Sequence, residues 1–310
     1  MNILITGAAG YIGSILTPYL LECGDHVTAL DNFRYGQNSL ASCCESDRFE
    51  VVNGDCRDAR IMRPLIEKAE VIIPLAAIVG ATACDNDITA ATTTNHGAVR
   101  MICEYASPEQ VIIYPNTNSG YGVGDSGVEC TEESPLRPLS LYGRDKVIAE
   151  KVVIERRNSV VFRFATIFGA SPRMRRDLLV NDFVYRAVND RAVVVFEGHF
   201  QRNYLHVRDA AGAFIHVLED FDKTLGNVFN VGDSRANLSK LQLCELIQRH
   251  IPNFYFTEAK IGEDPDKRDY IVSNKKIEAT GWKPSYTLDD GIKELRKLYV
   301  MIKDRRYGNA

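Results

Sequence analysis

Along the first half of the chain, short apolar runs alternate with longer stretches in which apolar residues recur every three or four positions. NILIT (2–6), HVTAL (26–30), FEVVN (49–53), EVIIPLA (70–76), QVIIYP (110–115) and SVVFRF (159–164) read as strands. They are apolar throughout rather than alternating, the pattern of strands covered on both faces. Between them, YIGSILTPYLLEC, DARIMRPLIEKA, TTTNHGAVRMICEYA and YGRDKVIAEKVVIERR carry helical spacing. The alternation predicts an α/β fold: a doubly wound parallel sheet with helices on both faces. After about residue 165 the pattern loosens into helical DLLVNDFVYRAVND, strand-like AVVVF, NYLHV and VFNVG, and helical LSKLQLCELIQRHI. A terminal helix, LDDGIKELRKLYVMIKD, has Leu288, Ile292, Leu295, Leu298 and Tyr299 on one stripe. The expected division is 1–165 for the main α/β unit and 166–310 for a smaller mixed lobe, with segments at about 202–231 returning to the main sheet.

Composition narrows the class of ligand. The 310 residues are 45% hydrophobic and 25% charged, with a net charge of −4, which gives no reason to expect nucleic acid or an anionic membrane as main partner. An anionic ligand needs a local basic site instead. No apolar run is long enough for a membrane span, and MNILITG enters a strand directly, so a cytoplasmic location is expected. The eight cysteines form no C-x-x-C pair and no zinc spacing; reduced thiols and no metal are expected.

The segment ITGAAGYIG places glycines at 7, 10 and 13, directly after a strand and opening a helix. Gly7 suits a tight turn, Gly10 close approach of a pyrophosphate, and Gly13 close packing of helix on strand; the helix N-terminus offers free N–H groups. Asp31 ends the second strand, where a carboxylate accepts hydrogen bonds from an adenosine ribose and repels a 2′-phosphate, which predicts NAD rather than NADP. Arg34 nearby is the one basic residue that weakens this choice. Asp55, after the third strand, is placed to receive the adenine amino group, whereas Asp58 fits a helix cap. The small residues of PLAA (74–77) suit close passage of a dinucleotide. The candidate cofactor set is therefore Gly7, Gly10, Tyr11, Ile12, Gly13, Asp31, Asn32, Asp55, Cys56, Leu75, Ala76, Ala77 and Asn95, together with Tyr142 and Lys146.

Tyr142 and Lys146, in YGRDK, stand four residues apart at the start of a helical run and so share a face. A neighbouring ammonium favours phenolate and makes a tyrosine a usable base. Two surface residues on an amphipathic helix would leave the same trace.

These motifs together (TGAAGYIG, Asp31, GDCRD, PLAA, NTNSGYG, YGRDK, RNYLHVRDAA and TGWKP, from residue 3 to about 284) resemble an extended short-chain dehydrogenase/reductase of the NAD-dependent nucleotide-sugar epimerase/dehydratase family. The resemblance implies a Rossmann-type domain with a C-terminal substrate-binding lobe. It implies a catalytic group of Thr117, Tyr142 and Lys146: Tyr142 takes the proton from a sugar hydroxyl, Thr117 orients the same oxygen, and Lys146 binds the nicotinamide ribose and depresses the Tyr142 pKa. Dehydratases of the family have Asp-Glu after the hydroxyl residue, and 3,5-epimerising members a cysteine at the second of these places; here they are Asn118 and Ser119, which leaves hydride chemistry at C4. ATIFGASPRMRRDLLVNDFVYRA, PNTNSGYG, GHFQRNYLHVRDA and GEDPDKRDYIVSN are similar to bacterial GDP-heptose 4-dehydrogenases of capsule biosynthesis.

The expected ligand is thus a nucleotide-diphosphate sugar, a GDP-sugar favoured, with Asn118, Ser119, Arg173, Arg175, Asn181, Arg202 and Arg268 as substrate-binding candidates. Guanidinium forks match phosphate oxygens, although a solvated face explains part of the Arg173–Arg176 run. His206 reads as a structural histidine. A nucleotide-sugar 4-epimerase would use the same residues. A non-catalytic NAD(H)-binding regulator fits less well, since such proteins generally lack the Tyr–Lys pair. The resemblance further implies a homodimer built on helices at about 89–106 and 142–157.

Overall fold

The computed structural model describes residues 1–36, 38–125, 127–262 and 268–302. Residues 263–267 of GEDPDKRDYIVSN, and the last two residues of the expected terminal helix, lie outside them. Seven strands, β1 (Asn2–Thr6), β2 (His26–Asp31), β3 (Phe49–Asn53), β4 (Val71–Pro74), β5 (Val111–Thr117), β6 (Ser159–Phe164) and β7 (Asn227–Val231), form one sheet in the order β7-β6-β5-β4-β1-β2-β3. Every pairing in it is parallel. The chain winds outward from β1 through β2 to β3, then returns to β4 and winds the other way. Between the carboxyl ends of β1 and β4 the connections diverge and open a crevice, the place where such sheets bind ligands.

Successive residues on the central strands serve opposite cores, as the two-residue period requires. Ile3, Ile5, Ile73 and Ile113 pack on one face, and Leu4, Ile72 and Ile112 on the other. All are essentially solvent-free, so each contributes on the order of 1.5–3 kcal/mol of burial free energy. The helices Gly13–Glu22 and Val207–Glu219 pack together on the first face. On the second lie Ala59–Lys68, Ala98–Tyr105 and Leu141–Ile154. Asp58 caps the first of these by accepting from Arg60 N at 2.9 Å. The stretch expected as one helix over 92–106 is interrupted by a π turn at Thr93–Gly97, which carries Asn95.

The C-terminal half adds three small sheets. Gln201–His206 pairs with Thr166–Phe168 and Asn237–Ser239, Ala192–Val195 with Tyr255–Glu258, and Glu129–Cys130 with Ile271–Val272. Of the segment 202–231, only β7 reaches the main sheet; the strand Gln201–His206 sits in a separate sheet. The terminal helix Leu288–Met301 buries Leu288, Ile292, Leu295 and Tyr299 against the Leu179–Asn189 helix.

Candidate active site

One cavity of about 600 Å³ runs from the carboxyl ends of β1 and β2 to the start of the Leu141–Ile154 helix. Its first half is shaped by glycine turns whose backbones pack closely. Gly7 adopts φ +71°, and a Cβ there would stand 2.6 Å from the backbone of Ala76, so the turn after β1 and the loop after β4 meet only because that side chain is missing. A Cβ on Gly13 would stand 2.4 Å from the carbonyl oxygen of Ala8. Asp31 is held by Ala9 N (3.0 Å) and Phe33 N (2.9 Å), one on each oxygen. Burial raises its pKa, against the pull of these N–H groups and of Arg173. Asp55, lowered chiefly by its bond to Arg57 (2.6 Å), lines the far end with Cys56. Gly10, Tyr11, Ile12, Asn32, Leu75, Ala76 and Ala77 complete this wall. A glycine turn at a helix start beside a fixed carboxylate fits a dinucleotide: the turn's N–H groups would hold the pyrophosphate and Asp31 the adenosine ribose.

Asn95 stands behind the wall rather than in it. Its Oδ1 accepts from Ile78 N (2.8 Å) and its Nδ2 donates to Ile78 O (2.9 Å), so the π turn braces the loop after β4. Both ends of the amide are occupied by this backbone.

At the other end Ser140 caps the Leu141–Ile154 helix, accepting from Gly143 N at 3.1 Å, and brings Tyr142 and Lys146 to the cavity beside Thr117. Thr117 closes β5. Its Oγ1 accepts from Ser119 N (3.1 Å) and donates to Ser119 Oγ (3.0 Å). Arg268 Nη1 also donates to Ser119 Oγ. The helix is fixed from beneath by a buried network. Arg163 on β6 grips Glu150 (2.6 and 3.2 Å), Asn116 on β5 donates to the same carboxylate, and Arg163 also donates to Tyr121 Oη (3.0 Å), which donates to Asn230 on β7 (2.6 Å).

The electrostatics of the pair differ from the expectation drawn from spacing. Burial pushes Tyr142 up to about 12, opposed by Arg175 and Arg268, whereas burial brings Lys146 down to about 7, opposed by Glu150. Lys146 Nζ lies 4.1 Å from the centre of the Tyr114 ring. The cations that act most on Tyr142 are arginines from the C-terminal half, Arg175 and Arg268, rather than Lys146.

The remaining substrate candidates separate. Ser119, Arg175, Arg202 and Arg268 line the cavity, and so does Lys240, which composition and spacing did not single out. Arg175 is bound to Asp177 at 2.5 Å, and Arg202 donates to Gln201 O at 3.1 Å. Arg173 also lines it, but toward the cofactor end, its guanidinium 3.9 Å from the centre of the Tyr35 ring. Asn118 is buried away from the wall, and among the described residues neither of its amide atoms has a hydrogen-bond partner. Asn181 is also behind the wall: it accepts from Gly169 N (3.0 Å) and donates to Arg175 O (2.8 Å) and Tyr11 Oη (3.1 Å), so it shapes the loop that presents the arginines. His206 is structural, bonded to Glu294 (2.8 Å) and accepting from Arg208 N (3.2 Å).

Comparison with known proteins accords with this geometry. Low-salt glycan biosynthesis protein Agl12 of Haloferax volcanii is 29% identical to the chain, over 97% of this chain and 99% of its own length. UDP-glucuronate 4-epimerase 1 of Arabidopsis thaliana is 24% identical, over 97% and 77% respectively. In fold, the chain is similar to the UDP-glucuronic acid 4-epimerase of Bacillus cereus, solved with UDP-glucuronic acid and NAD (TM-score 0.84, 23% identity, 97% and 99% covered). It is also similar to the NAD complex of dTDP-glucose 4,6-dehydratase from Bacillus anthracis (TM-score 0.81, 23% identity, 99% and 98% covered). Residues 3–232 match the NAD dependent epimerase/dehydratase family. With the glycine turn, Asp31 and the Thr117–Tyr142–Lys146 cluster in one cavity, the chain belongs to that family and is an enzyme whose cofactor is NAD.

Proposed function

We propose that the enzyme oxidises C4 of a nucleotide-diphosphate sugar to the 4-keto sugar, with a GDP-manno-heptose as the favoured substrate. The observation that carries this reading is the cluster of Thr117, Tyr142 and Lys146 at one end of the cavity; the two residues after Thr117, at which the dehydratases that this chain resembles carry Asp-Glu, are Asn118 and Ser119. NAD, when bound, supplies the hydride acceptor. Tyr142 accepts the proton of the C4 hydroxyl, a role that requires the cations facing it, Arg175 and Arg268 among them, to draw its phenol down from the raised value that burial imposes, and Thr117 orients that oxygen. Lys146 holds the nicotinamide ribose. Arg175, Arg202 and Arg268 serve the sugar diphosphate. The proposed assembly is a cytoplasmic homodimer joined through the helical faces around 89–106 and 142–157, where Ile148 is exposed; no described helix is long and apolar enough to cross a membrane.

A second reading, a 4-epimerase that returns the hydride to the opposite face, is favoured by the names of relatives such as UDP-glucuronate 4-epimerase 1. Incubation with GDP-, UDP-, dTDP- and CDP-sugars, including GDP-manno-heptose, while nicotinamide absorbance and product mass are followed, separates the two. A product lighter by two hydrogens, with NADH formed, establishes the dehydrogenase. An isomer of unchanged mass without net NADH establishes the epimerase.

A further inference from the structure

Arg173 leaves the substrate loop but does not end beside the reacting groups. The loop is fastened onto the glycine turn: Ser171 Oγ donates to Tyr11 O at 2.8 Å and lies 2.9 Å from Ser14 Oγ, Tyr11 Oη donates to Gly169 O at 2.6 Å, and Arg173 N lies 3.4 Å from Ser14 Oγ. From this anchor the Arg173 side chain, 2% exposed, runs under Tyr35, whose ring it meets at 3.9 Å. Tyr35 belongs to the segment after Asp31 that closes the adenosine end, and Arg34 lies 5.5 Å from the same ring. The charge of Arg173 is felt by the Asp31 carboxylate.

A dinucleotide brings a doubly anionic pyrophosphate to this end of the cavity. The glycine turn answers it with N–H dipoles, and Asp31 and Asp55 add negative charge. Arg57, the cation next to Asp55, is paired with it (2.6 Å). A buried guanidinium between the helix start at Gly13 and Asp31 supplies the full positive charge that backbone dipoles lack.

We infer that Arg173, stacked under Tyr35, is an anchor for the adenosine–pyrophosphate half of NAD, contributed by the loop that also carries the substrate-end residue Arg175. Two residues of one loop, two positions apart, thus serve the two ligands. The substrate loop becomes part of the cofactor's retaining wall.

The test is release of NADH from loaded enzyme, chased with excess NAD, together with competition by ADP-ribose, which has the adenosine and pyrophosphate but no nicotinamide. Arg173→Ala should speed NADH release and weaken ADP-ribose, each by about tenfold or more, the scale of one charge-assisted hydrogen bond, while GDP and UDP affinities stay within about twofold. Arg173→Lys should recover part of the loss. Tyr35 is 38% exposed, so Tyr35→Ala tests the stack without risk to the core, and faster NADH release is expected there too. NADH release and ADP-ribose affinity within about twofold of wild type in both variants overturn the inference. So does an Arg173→Ala loss confined to GDP or UDP, which would return this arginine to the substrate.

Discussion

At the cofactor end of the cavity short backbone turns set the shape of the wall; at the reacting end, side chains brought together from distant parts of the chain do so. The first is assembled from turns a few residues long, after β1, β2 and β4, in which Gly7, Ala9 and Phe33 contribute their main chain. The second is assembled from groups far apart in the sequence: Arg268 reaches Ser119, Asn230 meets Tyr121, and Glu150 is gripped from β6. A backbone-built site tolerates many side chains but not the wrong Cβ. A site built by side chains depends on a few buried contacts, each of which is costly to lose.

The largest expected effect separates the two ends outright. Tyr142→Phe removes the proton acceptor and should lower kcat by about 10²–10⁴-fold, while NADH affinity, measured by fluorescence, stays within about twofold. Loss of NADH binding along with activity would show that the ends are not independent.

Glu150→Ala strikes the support of the reacting end. It strips the partner from a guanidinium whose side chain is 6% exposed, and breaking such a pair costs roughly 3–5 kcal/mol. Urea unfolding should show that loss, and kcat should fall as the helix carrying Tyr142 loosens. A midpoint unchanged from wild type would mean that Arg163 finds another anion.

Gly7→Ala attacks the cofactor end. The φ of +71° costs an alanine on the order of 1–2 kcal/mol, before the clash with Ala76 is counted. NADH affinity should fall more than thermal stability does, and titration beside a melting curve measures both.

The last effect depends on pH. Lys146 titrates near 7 in the folded protein and at its ordinary 10.5 when unfolded. Between those values the unfolded chain holds the extra proton, so stability rises with pH across that window. Below about 7 the full cost of burying the ammonium is present; above 10.5 it is gone. Lys146→Met should therefore melt higher than wild type in the ligand-free state at pH 6, with the gap narrowing by pH 9. An equal gap at both would place the ammonium in contact with water.

How much could be read from the sequence follows the same division. The order of strands and helices, the glycine turn, Asp31 and the cap at Asp58 are local, and a stretch of ten residues displays each. The partner of a strand is not local: NYLHV looks like β7's VFNVG, yet one pairs with Thr166–Phe168 and the other with β6. Helical spacing put Lys146 beside Tyr142, but it could not show the ring of Tyr114 that receives the ammonium, nor the burial that raises the phenol. Asn95 and Asn181 were recognisable as important polar residues. Whether such an amide faces a ligand or braces a loop depends on backbone groups distant in sequence, Ile78 for one and Gly169 with Tyr11 for the other.

The bonds from Tyr11 and Ser14 to the segment 169–173 have a consequence for anyone wishing to redesign specificity. Transplanting a foreign substrate loop onto this scaffold would sever the fastening at the phosphate turn, unless Gly169, Ser171 and Asn181 travel with it. The exchangeable unit is smaller than the lobe and larger than the loop: it is the loop together with the residues that tie it down.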